Sequence, residues 1–251
     1  AVAISTAFIV ITLIVMAAMT SSLTSGVYSQ YQGGTIVVSQ DNDAPEGAIE
    51  SAEKALKDAN GVTAIKHMAQ WPVVAQTDTT RGGLYVSPLA PKPFAEPVLS
   101  TGTAPTADDQ IIIPESTASS LSLKVGDTLK VRSGFTEGDY RTLTIVGTTR
   151  SNTISMGIPA SYVTDGGFSA IFGSTASGKF IVATSGTDAD SNENPPEATQ
   201  DEWVAKANSA LSDISGVSVT SVREAITKDL DQARLGASVT TGIMLIFPAI
   251  A

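Results

Sequence analysis

The longest apolar stretch of the chain lies at its start. From Ala1 to Met19 only three hydroxyl residues interrupt a run of Ala, Val, Ile, Leu, Met and Phe, and the first charged residue is Asp41. At about 1.5 Å of rise per residue, a helix of this length reaches roughly the thickness of the hydrocarbon core of a bilayer. The pattern therefore predicts a first transmembrane helix, which we place at residues 1–24.

A second apolar run follows the last charged residue, Arg234. Before it, Ser221 and Glu224 have the spacing of a capping box, in which a hydroxyl and a carboxylate satisfy free amides at a helix N-terminus. Apolar residues then recur at helical spacing, at Val222, Ile226, Leu230, Ala233 and Ala237. We predict a stalk helix that continues into a second transmembrane helix, together covering residues 221–251.

The first run has a second interpretation, a cleavable signal peptide. Such peptides usually have a shorter apolar core, of about 7–15 residues, that follows Lys or Arg. No basic residue precedes the run here, but the chain opens on Ala1 rather than Met, so this alternative stays open.

The segment after the first run predicts a strand, a helix and a second strand. Thr35 to Gln40 is short and β-branched, which is typical of a strand. Apolar residues recur at helical spacing within Glu46 to Asn60, and the pair Asn60-Gly61 suits a left-handed helix end. Val62 to Thr77 then predicts one strand with an irregularity at Trp71-Pro72.

The same order of elements recurs near the other end of the chain. Phe180 to Thr184 predicts a strand, Thr199 to Ile214 a helix, and Val217 to Val222 a strand. The helix exits also match, since Ala55 to Thr63 (ALKDANGVT) shares Ala, Leu, Asp, Gly and Val with Ala210 to Ser218 (ALSDISGVS). The alternative is that the two segments match by chance, because a helix followed by Gly-Val and a strand is common. Two βαβ-like units predict one split α/β subdomain, with both helices on one face of a sheet that contains both first strands.

Between the two units, Arg81 to Ser177 changes character, because Gly and Pro separate several short apolar runs. Ile111 to Pro114 predicts a strand that leads into a short helix, whose first turn suits proline. Gly126-Asp127 turns the chain into a strand ending at Arg132, which pairs with Arg141 to Thr149. This region is predicted to be a smaller, inserted β-rich subdomain.

Together these elements predict an α+β fold in five parts. The parts are a first transmembrane helix (1–24), the first half of the split subdomain (25–80), the inserted subdomain (81–177), the second half of the split subdomain (178–220), and the stalk with the start of the second span (221–251). About 210 residues lie between the apolar ends, which is enough chain for a substantial hydrophobic core.

Composition narrows the possible functions. The net charge is −10 and the pI about 4.5, so the chain lacks the basic surface that nucleic acid binding requires. With no cysteine, it has neither disulfides nor thiolate metal ligands. His67 is the only histidine, and a lone histidine is more often structural or exposed than catalytic.

Two motifs imitate ligand sites. Gly173 to Phe180 (GSTASGKF) is close to a phosphate-binding P-loop, but Phe180 replaces the Ser or Thr that holds magnesium, and a strand follows where a helix is needed. The acidic loops Asp41–Asp43 and Asp188–Glu193 lack the glycine and the bidentate glutamate of a calcium loop. We therefore expect no catalytic residue, no cofactor, no metal site and no ATP binding by this chain.

Four side chains near the end of the first run are candidates for contact with a hydrophobic or haem-like cargo at the outer edge of the membrane. They are Met16, Met19, Tyr28 and Tyr31. The tyrosines also suit an interfacial aromatic position. The alternative is that the methionines face lipid or core, which is the ordinary role of Met on an apolar helix.

With these residues in place, the chain resembles the extracytoplasmic core region of MacB/FtsX-type ABC transporter permeases. Ile111 to Val131 (IIIPESTASSLSLKVGDTLKV), followed by Leu143 to Gly147 (LTIVG), is similar to that family's strand, short helix, turn-strand and returning strand. With the two bracketing apolar runs, the resemblance covers nearly the whole chain.

The resemblance implies a permease of the cell membrane, with residues 25–234 extracytoplasmic and a porter-like α/β part that carries a smaller, Sabre-like insertion. Its implied partners are a cytoplasmic ABC ATPase subunit, a second permease in a homo- or heterodimer, and membrane lipid. The implied mechanism is mechanotransmission, in which ATP hydrolysis by the ATPase moves the spans and stalks and so drives efflux or other extracytoplasmic work. The permease itself is then not an enzyme, and its substrate stays open.

Two other classes of protein stay open. A two-span sensor also holds an α/β ligand-binding domain between membrane helices, and its second helix also emerges from an amphipathic stalk. The full gene distinguishes the two, since a permease continues with two further spans and a sensor with a cytoplasmic signalling module. A secreted binding domain is the third class, and the closing apolar run disfavours it.

Overall fold

The computed structural model describes residues 24–78, 80–136, 138–150, 160–174, 177–187 and 193–235, together with Ala18 and Ser21. The predicted first span, and the predicted continuation of the stalk into a second span, lie almost entirely outside these residues. Within the described part of the chain, no helix combines the length and the apolar character needed to cross a bilayer.

The described residues form strands and helices in the following order. The strands are β1 (Ile36–Gln40), β2 (Val62–His67), β3 (Trp71–Gln76), β4 (Arg81–Pro88), β5 (Leu99–Gly102), β6 (Gln110–Pro114), β7 (Thr128–Ser133), β8 (Arg141–Thr149), β9 (Ala160–Val163), β10 (Lys179–Thr184) and β11 (Val217–Ser221). The helices are α1 (24–31), α2 (Ala48–Lys57), α3 (Glu115–Ser120), α4 (Asp165–Phe172), α5 (Glu197–Ala210) and α6 (222–235).

Four strands form the first sheet, in the order β11-β1-β10-β2, with every neighbouring pair antiparallel. β1 and β2 are therefore parallel to each other with β10 between them, and β10 and β11 are parallel with β1 between them. This interleaving of two βαβ units is the split, ferredoxin-like arrangement. Ile36 lies opposite Val182 and Val38 opposite Phe180, which confirms the prediction that the two first strands share a sheet.

One face of this sheet packs against both helices of the split units. Side chains that alternate along the strands, including Ile36 and Phe180, meet Leu56 of α2 and Trp203 of α5 in one buried cluster. A strand sends alternate side chains to opposite faces, so the neighbouring residues point away from these two helices. The predicted placement of the two helices on one face is confirmed.

The second sheet closes into a barrel. Its seven strands run β5-β8-β6-β9-β4-β3-β7, and β7 also pairs with β8, so that every strand except β5 belongs to a closed ring. Alternate residues fill the interior, among them Val73, Val86, Ile111, Leu129 and Ile145. The predicted pairing of the β7 and β8 segments is confirmed. The closure of the sheet into a barrel was not predicted.

The segment predicted as one strand, Val62 to Thr77, is two strands in different sheets. β2 ends at His67 in the first sheet, and β3 begins at Trp71 in the barrel. The irregularity expected at Trp71-Pro72 therefore marks the start of a new strand in the other sheet. The prediction of one strand was wrong, because the strand propensity of a segment carries no information about which sheet each half of it joins. The subdomain limits themselves stay predictions.

The predicted helix bounds also need correction. α2 ends at Lys57 with Asp58 as its cap in the right-handed region, so Asn60-Gly61 does not cap the helix. Gly61 instead adopts a φ of 97° in the turn that leads into β2, a conformation that glycine tolerates without strain. α5 begins at Glu197, earlier than predicted, and ends at Ala210.

Candidate functional site

The second face of the four-stranded sheet packs against the two helices that flank it in sequence, α1 and α6. These helices meet there with a turn at Pro91 to Phe94 that belongs to the connection between β4 and β5. We call this region the helix junction. Its buried apolar residues are Tyr31, Val37, Phe94, Ile181, Ala183, Val222, Ala225, Ile226 and Leu230.

α6 begins as the sequence predicts. The amide of Glu224 donates a hydrogen bond of 3.1 Å to Ser221 Oγ, which is the first half of the capping box. The apolar stripe from Val222 through Ile226 to Leu230 is buried against the sheet. The predicted amphipathic helix is confirmed over residues 222–235, and Ala237 lies outside the described residues.

Three polar side chains join α1, α6 and the sheet inside the helix junction. Tyr31 of α1 donates a hydrogen bond of 2.6 Å from its hydroxyl to Asp229 Oδ2 of α6. Lys179, the first residue of β10, donates a hydrogen bond of 2.6 Å to the same hydroxyl, and its Nζ lies 3.8 Å from Asp229 Oδ2. The phenol thus lies between an ammonium and a carboxylate, and we call these three residues the Tyr31 triad.

Burial sets the protonation of the Tyr31 triad. It raises the pKa of the Tyr31 phenol, and the hydrogen bond and negative charge of Asp229 raise it further. Burial also lowers the pKa of Lys179, while the carboxylate of Asp229 opposes that change. The phenol therefore keeps the proton that it donates to Asp229, and its oxygen accepts from the lysine.

Besides Lys179, a second lysine lies next to the C-terminal end of α1. Lys66 of β2 donates a hydrogen bond of 2.8 Å from Nζ to the carbonyl oxygen of Gln30, in the last turn of that helix. The same Nζ lies 5.8 Å from the centre of the Phe94 ring. A cation at a helix C-terminus is favoured by the partial negative charge of the free carbonyls, but burial lowers the pKa of Lys66 to about 8.

Two glycines allow α1 to end in this crowded place. Gly33 adopts a φ of 78°, and a Cβ on it would lie 2.5 Å from the carbonyl oxygen of Pro93. A Cβ on Gly34 would lie 2.4 Å from Cγ2 of Ile181. Side chains at either position would separate α1 from the turn or from the sheet.

The single histidine lies on the other side of the sheet, away from the helix junction. His67 Nε2 is 3.3 Å from Glu53 Oε1 of α2, and Lys57 Nζ is 2.6 Å from the same oxygen. The hydrogen bond from His67, followed by that from Lys57, lowers the pKa of Glu53 to about 2, although burial acts in the opposite direction. His67 also packs edge-on against Phe180, so the structure places it in a structural contact between β2 and α2.

Of the four side chains considered for interfacial or cargo contact, the structure describes Tyr28 and Tyr31. Tyr31 is 0% exposed and its hydroxyl is hydrogen-bonded, so in this structure it occupies a core position and not the interfacial position that its sequence context suits. Tyr28 is half exposed. Met16 and Met19 lie outside the described residues.

The two motifs that imitate ligand sites lead to ordinary structure where they are described. Lys179 and Phe180, which end the P-loop-like string, begin strand β10 rather than a helix. Asp41 to Asp43 form an exposed turn, and Asp188 to Asn192 lie outside the described residues. Among the residues that the structure describes, no group of three acidic, histidine or cysteine side chains is placed to hold a metal ion.

Four residues of the helix junction were not predicted from the sequence, namely Lys66, Phe94, Lys179 and Asp229. One signal was available for the lysines, because each is a charged residue within or beside an otherwise apolar strand. Such a residue, if its strand is covered on both faces, needs a polar partner. The partners themselves are far away in sequence, and only the fold brings them together. The resulting site joins α1, α6 and the four-stranded sheet through apolar packing and hydrogen bonds.

Similar structures were found among solved proteins. The periplasmic region of MacB from Actinobacillus actinomycetemcomitans is 12% identical, with a TM-score of 0.50, and the alignment covers 80% of this chain and 95% of that one. The extracellular domain of YknZ, a noncanonic ABC-type transporter from Gram-positive bacteria, is 16% identical, with a TM-score of 0.50, and the alignment covers 74% of this chain and 98% of that one. At these identities the likeness shows a shared fold.

Comparison with curated protein sequences produced no match. Comparison with protein families produced a match to the MacB-like periplasmic core domain over residues 1–229. This match extends well beyond Ile111 to Gly147, the segment that carries the most specific sequence resemblance. Since it covers most of the chain, the protein belongs to the family of MacB-like periplasmic core domains.

Proposed function

We propose that this chain is the extracytoplasmic part of an ABC transporter permease and that it transmits force between the membrane and the outside. The observation that carries the proposal is the helix junction. α1 follows the apolar run of residues 1–19, and α6 leads into the apolar run from residue 235, so the two helices are continuous in sequence with the predicted spans. Both helices pack against the same sheet, and the hydrogen bond between Tyr31 and Asp229 joins them to each other.

The Tyr31 triad is suited to transmission because it resists relative sliding of the two helices. Moving α6 along its axis against α1 separates Asp229 from Tyr31 and Lys179, and hydrogen bonds to charged groups contribute about 1.5–3 kcal/mol each. Apolar packing alone is less directional. A displacement imposed on either helix is therefore passed to the sheet and the other helix.

In this proposal the chain is not an enzyme. A cytoplasmic ABC ATPase subunit hydrolyses ATP, a second permease completes a homo- or heterodimer, and lipid surrounds the two spans. Residues 25–234 lie outside the cytoplasm, with 81–177 inserted between the two halves (25–80 and 178–220) of the split subdomain. Movement of the stalks then drives efflux or other extracytoplasmic work. The family membership and the arrangement of α1 and α6 support this mechanism.

The proposal is tested by breaking the stalk without breaking the helix junction. Insertion of Gly-Gly after Gln232 lies beyond Leu230, the last buried residue of the α6 stripe, and costs about 2 kcal/mol of helix propensity at roughly 1 kcal/mol per Gly. In the intact permease with its ATPase, we expect the outer domain to keep its thermal stability while coupled transport or partner activation is lost.

A matched insertion after Gly138 provides the control. Gly138 lies in an exposed loop with open space around it, so this insertion adds the same flexibility away from α6. We expect it to leave coupled activity unchanged. Wild-type coupling with the insertion after Gln232, or unfolding of the outer domain by it, would show that α6 does not act as a transmitting stalk and would favour a sensor or a tethered domain.

A further inference from the structure

We propose that the turn at Pro91 to Phe94 is the contact through which the barrel follows the movement of α1 and α6. The turn lies on the connection between β4 and β5, and both of these strands belong to the barrel sheet. Phe94 nevertheless lies in the core of the helix junction, where it is 1% exposed. The biological meaning of this inference rests on the function proposed above.

The turn is anchored at its barrel end. The amide of Leu89, the residue after β4, donates a hydrogen bond of 2.7 Å to the carbonyl of Val163 in β9. The chain then leaves the barrel and closes a tight turn, in which the amide of Phe94 donates to the carbonyl of Pro91 over 3.1 Å. The segment that reaches out is therefore short, hydrogen-bonded to the barrel where it leaves β4 and closed by a hydrogen bond within the turn, which suits it to transmit displacement.

The turn also contacts α1 directly. The Pro93 carbonyl lies so close to Gly33 that a Cβ there would be 2.5 Å from its oxygen. Lys66 Nζ, which holds the last turn of α1 through Gln30, lies over the Phe94 ring. Phe94 packs in the same cluster as Ile226 and Leu230 of α6. The turn thus contacts α1 through the Pro93 carbonyl and the sheet through Lys66, and Phe94 shares its buried cluster with residues of α6.

A third contact changes what the barrel can do. The chain passes between the sheet and the barrel after His67 and returns before Lys179. Two chain crossings allow rotation about the line that joins them, and a contact away from that line stops the rotation. The turn supplies such a contact, so the barrel follows the helices, and loss of the Phe94 side chain loosens the orientation of the barrel relative to α6.

The test measures the distance between the barrel and α6 in the full chain. The sequence has no cysteine, so Lys130→Cys on β7 and Gln232→Cys on α6, both exposed, accept one spin label each. Pulsed electron resonance then gives the distribution of distances between the labels in detergent or nanodiscs. We expect a narrow distribution for the parent chain and a broader or shifted one for Phe94→Ala.

Leu56→Ala is the matched control, because it removes apolar volume from the cluster on the other face of the same sheet, away from the turn and from α6. We expect it to lower the unfolding temperature and leave the distance distribution unchanged. If Phe94→Ala prevents folding, Phe94→Leu replaces it in the same comparison. An unchanged distribution for the Phe94 variant, or equal broadening for both variants, would overturn the inference and make Phe94 an ordinary core residue.

This experiment needs neither nucleotide nor the ATPase. Failure of the stalk insertion to uncouple the transporter would therefore leave the result for Phe94 standing. Conversely, an unchanged distance distribution in the Phe94 variant would refute the proposed contact and would leave the proposed role of α6 intact.

Discussion

Tyr31 and Asp229 are separated by 198 positions in the chain, yet the hydroxyl of one lies 2.6 Å from the carboxylate of the other. Tyr31 lies in the helix before the first strand, and Asp229 lies in the helix after the last strand. This hydrogen bond therefore joins α1, which precedes the four-stranded sheet in sequence, to α6, which follows it.

Removing the Tyr31 hydroxyl tests this link. In Tyr31→Phe the ring stays in the core but Asp229 loses its phenol donor, so we expect the free energy of unfolding to fall by about 1.5–3 kcal/mol. Chemical denaturation of the full chain in detergent micelles measures the change. Tyr28→Phe on the same helix, where the ring is half exposed, is the matched control and is expected to change stability by less than about 0.5 kcal/mol. Equal effects of the two variants would contradict the link.

Lys66 makes stability depend on pH in the alkaline range. Burial lowers its pKa to about 8 from the ordinary value of 10.5, so the unfolded chain binds the proton more tightly between these two values. Stability therefore rises with pH from about 8 to 10.5, by up to about 3 kcal/mol. We expect Lys66→Met to lack this rise in pH-dependent unfolding, while the exposed Lys130→Met keeps it. Parallel profiles for the parent chain and Lys66→Met would refute the prediction.

Glu53 acts at the opposite end of the pH scale. Its pKa is lowered from 4.5 to about 2, first by the hydrogen bond from His67. The carboxylate thus contributes stability that is complete above pH 4.5 and is lost as the pH falls toward 2, and the full effect is roughly 3 kcal/mol. Acid titration of stability in Glu53→Gln should show a flatter profile, whereas Glu50→Gln, an exposed change on the same helix, should retain the parent profile. Retention of the full acid slope in Glu53→Gln would assign that slope to other groups.

Gly34 is expected to tolerate no side chain. In Gly34→Ala the new Cβ would lie 2.4 Å from Cγ2 of Ile181 and 3.0 Å from Cγ2 of Val222. Forcing atoms into a packed core typically costs about 1–3 kcal/mol, so we expect a loss of that size in thermal or chemical unfolding. Gly138→Ala, where a Cβ meets nothing within 4 Å, is the matched control. If both alanine variants kept the parent stability, α1 would not be packed as closely as described.

The local pattern of the sequence determined several elements because the interactions that form them are short in range. The β-branched runs predicted β1 and β10, and the capping-box spacing of Ser221 and Glu224 predicted the start of α6. The repeated helix exit predicted that the two units share a sheet and bury their helices on one face. The residues that decide β1, β10 and the start of α6 lie within a few positions of one another. The shared sheet could be predicted because the two βαβ-like units repeat one pattern.

Tertiary structure alone decided what covers the second face of that sheet. Val37 and Ile181 are as apolar as their neighbours Ile36 and Phe180, so the strand pattern shows that both faces are buried without showing by what. For the same reason the sequence did not show that the chain passes from the first sheet to the barrel between His67 and Trp71. Both β2 and β3 have a pattern that suits either sheet.

The helix junction could not be predicted because its partners are set by long-range geometry. Hydrogen bonds of Tyr31 with Asp229 and Lys179 exist only after the sheet has aligned α1, α6 and β10. Phe94 belongs in sequence to a loop rich in proline, a composition typical of an exposed connection, and it becomes a core residue only because the barrel stands beside the sheet. The sequence by itself thus determined several elements and the resemblance to the family, while the packing of the sheet against the barrel decided which side chains connect them.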